Sequence, residues 1–121
     1  MEPRIRWINH KGKRIVYVDY TNLSSNDKKA FFAVIDQARE FVLKAGSNLL
    51  LLVDVRNSFG DSEIIARLKQ DGKEEKPFIH KQAVVGITGF KGVLLAAVNS
   101  FTGLGIKPFD TLDQAKDWLV S

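Results

Sequence analysis

The sequence predicts an α/β domain of element order ββαβαβαβα, a mixed sheet of four to five strands with helices packed on it. Three observations carry this reading. Short apolar runs of strand length alternate with segments whose apolar residues recur at helical spacing. Turn or capping residues bound most of these segments. The 121 residues, 45% apolar and 26% charged, match a globular chain with one core, so 1–121 reads as a single domain.

Taken in order, RIRWIN (4–9) and RIVYVDY (14–20) flank His10-Lys11-Gly12-Lys13 and read as a hairpin in which Gly12 supplies the positive φ. With Lys11-Gly12 at the turn centre, Ile8 faces Ile15, Trp7 faces Val16 and Arg6 faces Tyr17. Alternation then puts Ile5, Trp7, Val16 and Val18 on a core face. Arg4, Arg6, Ile8, Ile15 and Tyr17 share the other, a mixed surface for a helix or a ligand. Ser24 or Ser25, with Asp27 in the first turn, opens a helix that keeps Phe31, Val34, Ile35, Ala38, Phe41, Val42 and Ala45 on one face and stops at Gly46. Residues 49–55, LLLLVDV, read as a central strand covered on both faces.

Asp61 or Ser62 caps a second helix that turns Ile64, Ile65 and Leu68 inward and ends near Gly72. The charged stretch 73–76 before Pro77 reads as a solvated loop or a short extra turn. AVVGIT (83–88) is a further buried strand, with Gly86 inside it. A helix follows over about 92–102, closed by Gly103 and Gly105, and IKPF (106–109) is a last short strand whose Pro108 marks an edge. Thr111 with Gln114 makes a capping box for a terminal helix burying Leu112, Ala115, Trp118 and Leu119.

Composition excludes several functions. The absence of Cys removes disulfides, thiolate metal sites and Cys nucleophiles, and His10 and His80 form no metal-ligand spacing, so no cofactor is expected. There is neither an apolar run long enough to span a membrane nor a secretory leader pattern, and the cytoplasm is the expected compartment. The formal charge of +4 arises entirely before residue 61, where ten Lys and Arg face six Asp and Glu; the remainder is balanced, eight against eight. Arg4, Arg6, Lys11, Lys13 and Arg14 supply much of it. A basic hairpin can meet phosphates, but Lys and Arg also keep a sheet edge from pairing with other chains. No nucleic-acid motif accompanies them, and no nucleic-acid partner is expected.

Two loops and one helix are candidates for function. In the 54–62 loop, Asp54 and Asp61 are either paired carboxylates or, respectively, a strand-end acceptor and a helix cap, and Ser62 sits where a helix N-terminus favours phosphate. Arg56, Asn57, Ser58 and Glu63 complete a partner-facing loop. The 86–92 loop, G-x-x-G-x-x-G with Gly89 and Lys91, reads either as tight-turn glycines or as an anion cradle. The helix 93–101 is apolar around most of its circumference, which implies deep burial or contact with a partner, a second copy or an apolar ligand through Leu94, Val98 and Phe101. No nucleophile and base stand in a recognisable pattern.

The D-V-R-N-S-F-G-D-S loop and the closing stretch K-Q-A-V-V-G-I-T-G … I-K-P-F-D-T-L-D-Q-A-K-D-W-L together resemble the STAS superfamily. Within it the chain looks most like small stand-alone proteins similar to anti-sigma-factor antagonists, grouped with CRAL-TRIO-type lipid-binding domains. Phe109, Asp110, Ala115, Trp118 and Leu119 carry the most specific part of the likeness. The resemblance implies a βα superhelix. In the signalling members a strand-end Asp precedes a loop ending in Asp-Ser, and that Ser is phosphorylated to switch partner binding. Asp54, Asp61 and Ser62 match that arrangement, with a gap one residue shorter and Glu63 where a small residue is usual. The expected function is therefore non-enzymatic: a regulatory module that binds a protein partner or itself, with Ser62 as phosphoacceptor. The alternative is a carrier or sensor of a lipid or other apolar or anionic small molecule, which predicts an apolar pocket against the 93–101 helix.

Overall fold

Five strands and four helices follow one another in a computed structural model that describes residues 2–121. The order is β1 (Ile5–His10), β2 (Lys13–Asp19), α1 (Lys28–Ala45), β3 (Leu49–Asp54), α2 (Ser62–Glu75), β4 (Ile79–Val85), α3 (Lys91–Thr102), β5 (Lys107–Phe109) and α4 (Leu112–Leu119). β1 and β2 pair antiparallel in the expected register, with Ile8 opposite Ile15, Trp7 opposite Val16 and Arg6 opposite Tyr17. The later strands add parallel, one beside the last, so the sheet runs β1-β2-β3-β4-β5. Strand order never reverses.

That succession dictates the layers. Three right-handed crossovers stepping in the same direction must stack their helices on one face of the sheet. There α1 and α2 cover Ile5, Val16, Val18, Leu49 and Leu51, and α3 packs with Val84 and Ile106. α4 crosses to no further strand and closes the opposite face, where Ala115 and Leu119 meet Ile15, Leu50, Leu52 and Val85. The mixed face expected of the hairpin is thus covered by a helix, and β3 is buried on both sides.

Caps fall where the side chains permit. Ser24 caps a 3-10 turn at Ser25–Asp27, and Asp27 then caps α1 by accepting from the Ala30 amide at 3.2 Å. Asp61 accepts from the Ile64 amide at 3.0 Å, and Thr111 from the Gln114 amide at 3.1 Å. Gly46 ends α1 at φ 111°.

Two boundaries differ from expectation. α2 continues through Gly72 to Glu75, because hydrogen in place of a side chain there lets α2 lie close to Thr102 and Leu104; a Cβ would come within 3.1 Å of each. A 3-10 turn at Lys76–Phe78 follows, the short extra turn expected as the alternative to a solvated loop. β4 starts at Ile79 and ends at Val85, ahead of the predicted 83–88, since its polar first half pairs with Leu49–Leu51 while Lys81 reaches the carbonyls of Trp118 and Ser121. Gly86 therefore lies just beyond the strand.

The basic hairpin is an edge, and its charges are engaged locally. Arg4 donates to the carbonyls of Asp19 and Thr21, Arg14 lies 3.8 Å over Trp7, and Lys11 and His10 both reach Asp117. No helix among the described residues is long and apolar enough to cross a membrane.

Candidate functional site

Parallel strands bring the loops after β2, β3 and β4 to one end of the sheet, the customary place for sites in such folds. Here backbone bonds sew the first two together: Ser25 N donates to Phe59 O at 3.0 Å and Phe59 N to Leu23 O at 3.0 Å. Asn22 and Asn57, both at positive φ, face each other across the seam, Asn57 Nδ2 donating to Asn22 Oδ1 at 2.7 Å.

Asp54 anchors the seam from below. It is fully buried, and its oxygens accept from Tyr17 Oη at 2.6 Å, Arg56 Nε at 2.9 Å, an Arg56 terminal nitrogen at 2.7 Å and the Arg56 amide at 3.2 Å. Burial pushes this carboxyl up, but the bonds from Arg56 and Tyr17 outweigh it and hold Asp54 below its ordinary range. Burial, then the bond to Asp54, pushes the Tyr17 phenol up in turn. Asp54 is a strand-end acceptor, and it forms no pair with Asp61. Ser58 is also buried. Neither presents the partner surface expected of it: Asp54 is held inward by Tyr17 and Arg56, and Ser58 lies among the residues lining the cavity under the loop, its backbone amide donating to Val55 O at 3.1 Å.

The remaining loop residues do face outward. Arg56, Asn57, Ser62 and Glu63 are exposed, and Asp61 is partly so. Ser62 is the first residue of α2. Lys28, at the start of α1, lies between the acids on either side of it, 2.6 Å from Asp61 and 3.1 Å from Glu63. That pair holds the Asp61 carboxyl low, and the two carboxylates hold the Lys28 ammonium high.

Beside them lies apolar surface. Phe59 is 58% exposed and Phe90, before α3, is 70% exposed, with Val93 exposed one turn further on. Lys91 lies 4.8 Å over the Phe59 ring, but its ammonium donates to Val55 O at 2.8 Å and Gly86 O at 3.2 Å. Burial pushes it down. Lys91 thus ties the β3 and β4 ends together and is withdrawn from the anion-binding role considered for this loop. Gly89 stays at the surface with positive φ, while Gly86 is needed for close approach: a Cβ there would stand 2.5 Å from the Arg56 nitrogen.

Under the rim, α2 and α3 do not close fully on the sheet. A cavity of about 160 Å³ lies between them, lined by Val84, Ile65, Leu94, Leu95 and Val98 among others. Phe101, at the far end of α3, points outward at 52% exposure with Lys73 over its ring. The cavity has a polar end that sequence reasoning missed: Asp71, Glu75 and Gln82. The signal was an acid at helical spacing with Ile64 and Leu68, a position that should have been apolar.

A family model described as SpoIIAA-like matches residues 15–120. Among solved structures, an uncharacterized protein of the DUF3478 family with a SpoIIAA-like fold, from Shewanella loihica PV-4, superposes with a TM-score of 0.67. It is 15% identical, over 95% of this chain and 91% of its own. No curated protein matches.

Proposed function

The chain belongs to the SpoIIAA-like family, and on that premise we propose that it is a regulatory module of STAS type, binding a protein partner at the rim formed by the 56–63 loop and the start of α3. The observation that carries this is the exposure of Phe59 and Phe90 at one end of the sheet, beside the Ser62 turn. Aromatic surface flanked by charge is the composition of interface centres.

Ser62 is the phosphoacceptor in this reading. A phosphate there would join Asp61 and Glu63 around the single ammonium of Lys28. Repulsion among the three anions and competition for Lys28 would loosen the tie between the first turns of α1 and α2. Glu63 thereby makes the turn more responsive to phosphate. Photo-crosslinking from a probe at position 59, with position 9 on the hairpin edge as control, tests the surface. A discrete adduct from 59 alone, altered by Ser62→Glu, is expected; equal labelling from both positions, or none, overturns it. A Ser62 phosphopeptide after incubation with cell extract and ATP tests the switch.

The cavity favours a second reading, a carrier or sensor of an apolar small molecule. An apolar cavity of roughly 150 Å³ admits benzene, so about 160 Å³ suits a compact body of that class. A lipid chain would have to part α2 from α3.

A further inference from the structure

The polar end of the cavity is built against hydrogen-bonding custom. Asp71 is 5% exposed, and its Oδ1 accepts from Arg67 Nε at 3.2 Å. Asp71 is one of the residues that line the cavity, and its Oδ2 is buried and finds no partner among the described residues. Nor does Gln82 Oε1, from β4. Buried acceptors left open in this way are rare, since each loses its hydration without recompense. Gln82 can turn its amide and offer a donor instead, but an ionised carboxylate oxygen can only accept.

The charges around this end are unbalanced. Asp36, Asp71, Glu74 and Glu75 stand against Arg39 and Arg67, four acids to two bases. Arg67 is shared between Asp36 and Asp71, and Arg39 lies 2.9 Å from Glu74 but 3.9 Å from Asp71. Glu75, one turn beyond Asp71, has no ion pair among the described residues. Burial first, and the Asp71 carboxylate second, push it up to about 7. A cation placed there would relieve both acids.

Apolar walls and an acidic, donor-hungry end define a ligand class. We propose that the cavity between α2 and α3 binds a small apolar amine, its hydrocarbon body packed against Ile65, Leu95 and Val98 and its ammonium donating to Asp71 Oδ2. This rests on the carrier reading and deepens it. An anionic ligand is excluded by the same carboxylates, and a plain hydrocarbon would leave Asp71 Oδ2 unpaired.

Benzylamine, benzyl alcohol and toluene share a ring and differ in the head group, so they separate the two claims. Titration of the whole chain at about pH 8, where Glu75 is ionised, followed by amide shifts of Gly72, Leu95 and Val98, reads both place and affinity. Benzylamine is expected to bind about tenfold or more tightly than the other two. Asp71→Asn and, independently, Glu75→Gln should bring the ratio of benzylamine to toluene affinity close to one. Toluene or benzyl alcohol binding as tightly as benzylamine overturns the amine assignment and leaves the carrier reading standing. No shifts at these amides with any of the three overturns both.

Discussion

The Tyr17 hydroxyl donates 2.6 Å to Oδ2 of Asp54, joining the middle of β2 to the last residue of β3 inside the α4 layer. Arg56 holds the same carboxylate from the solvent side. The turn that carries the candidate partner loop is therefore fastened to the core by one buried acid. Tyr17→Phe removes a hydrogen bond to a charged group and should lower unfolding free energy by about 1–3 kcal/mol in urea titrations. An unchanged midpoint would show that the carboxylate is satisfied without it.

Acid should weaken the same joint. The folded Asp54 lies below its ordinary 3.8. A carboxyl depressed on folding contributes stability that is complete above the unfolded value and is lost as pH falls through the folded one. Stability should decline below about pH 4. In Tyr17→Phe the decline should be shallower, because one of the bonds depressing the group is gone.

Glu75 runs the opposite way. Its folded value of about 7 exceeds the ordinary 4.5, so the folded protein holds this proton more tightly. The contribution of Glu75 to stability is then complete below 4.5 and is lost as pH rises through about 7. Glu75→Gln removes that loss. The variant should be more stable than the parent by about 1–3 kcal/mol at pH 8 and nearly equal at about pH 4, read by denaturant midpoints. Equal curves at both values would contradict the burial of a charge at this position.

Gly86 and Gly89 form a matched test of close approach. Both have positive φ, but only at Gly86 would a Cβ meet backbone, 2.5 Å from the Arg56 nitrogen. Gly86→Ala should cost more than about 2 kcal/mol. Gly89→Ala, with nothing within 4 Å, should cost only the left-handed penalty of about 1 kcal/mol. Thermal unfolding of the two variants side by side decides it.

Asn99 presents its amide to the Ile106 backbone like an added strand residue, Nδ2 donating to Ile106 O at 3.0 Å and Oδ1 accepting from Ile106 N at 2.8 Å. Asn99→Ala should lower stability by about 1–3 kcal/mol and speed hydrogen exchange at Ile106. Slow exchange in the variant would mean that the 103–106 turn holds itself.

What could be read from residues alone followed from period and caps. Hairpin register needed only Gly12 and the alternation of Trp7, Val16 and Val18, and the starts of α2 and α4 needed only Asp61 and Thr111. The rest depended on contacts between distant segments. Gly72 looked like a stop signal until Thr102 and Leu104 were seen packed against it. Residues 79–82 were too polar to suggest a strand, since their pairing with Leu49–Leu51 and the reach of Lys81 to Ser121 are tertiary facts. Of the candidate site, Ser62 and Asp61 were legible as a helix start. The inward turn of Ser58, the withdrawal of Lys91 and the acid end of the cavity were not, because each is decided by which groups remain unpaired once the layers close.

The unreversed order of the sheet also keeps its pairings short in sequence: every strand after the hairpin joins the one before it in the chain, so each closure spans a single helix. The face beneath α4 is the exception, covered from the far end of the chain. Ile15, Leu50, Leu52 and Val85 are shielded there by the eight residues 112–119, and a cut ahead of them would bare that greasy surface to other copies.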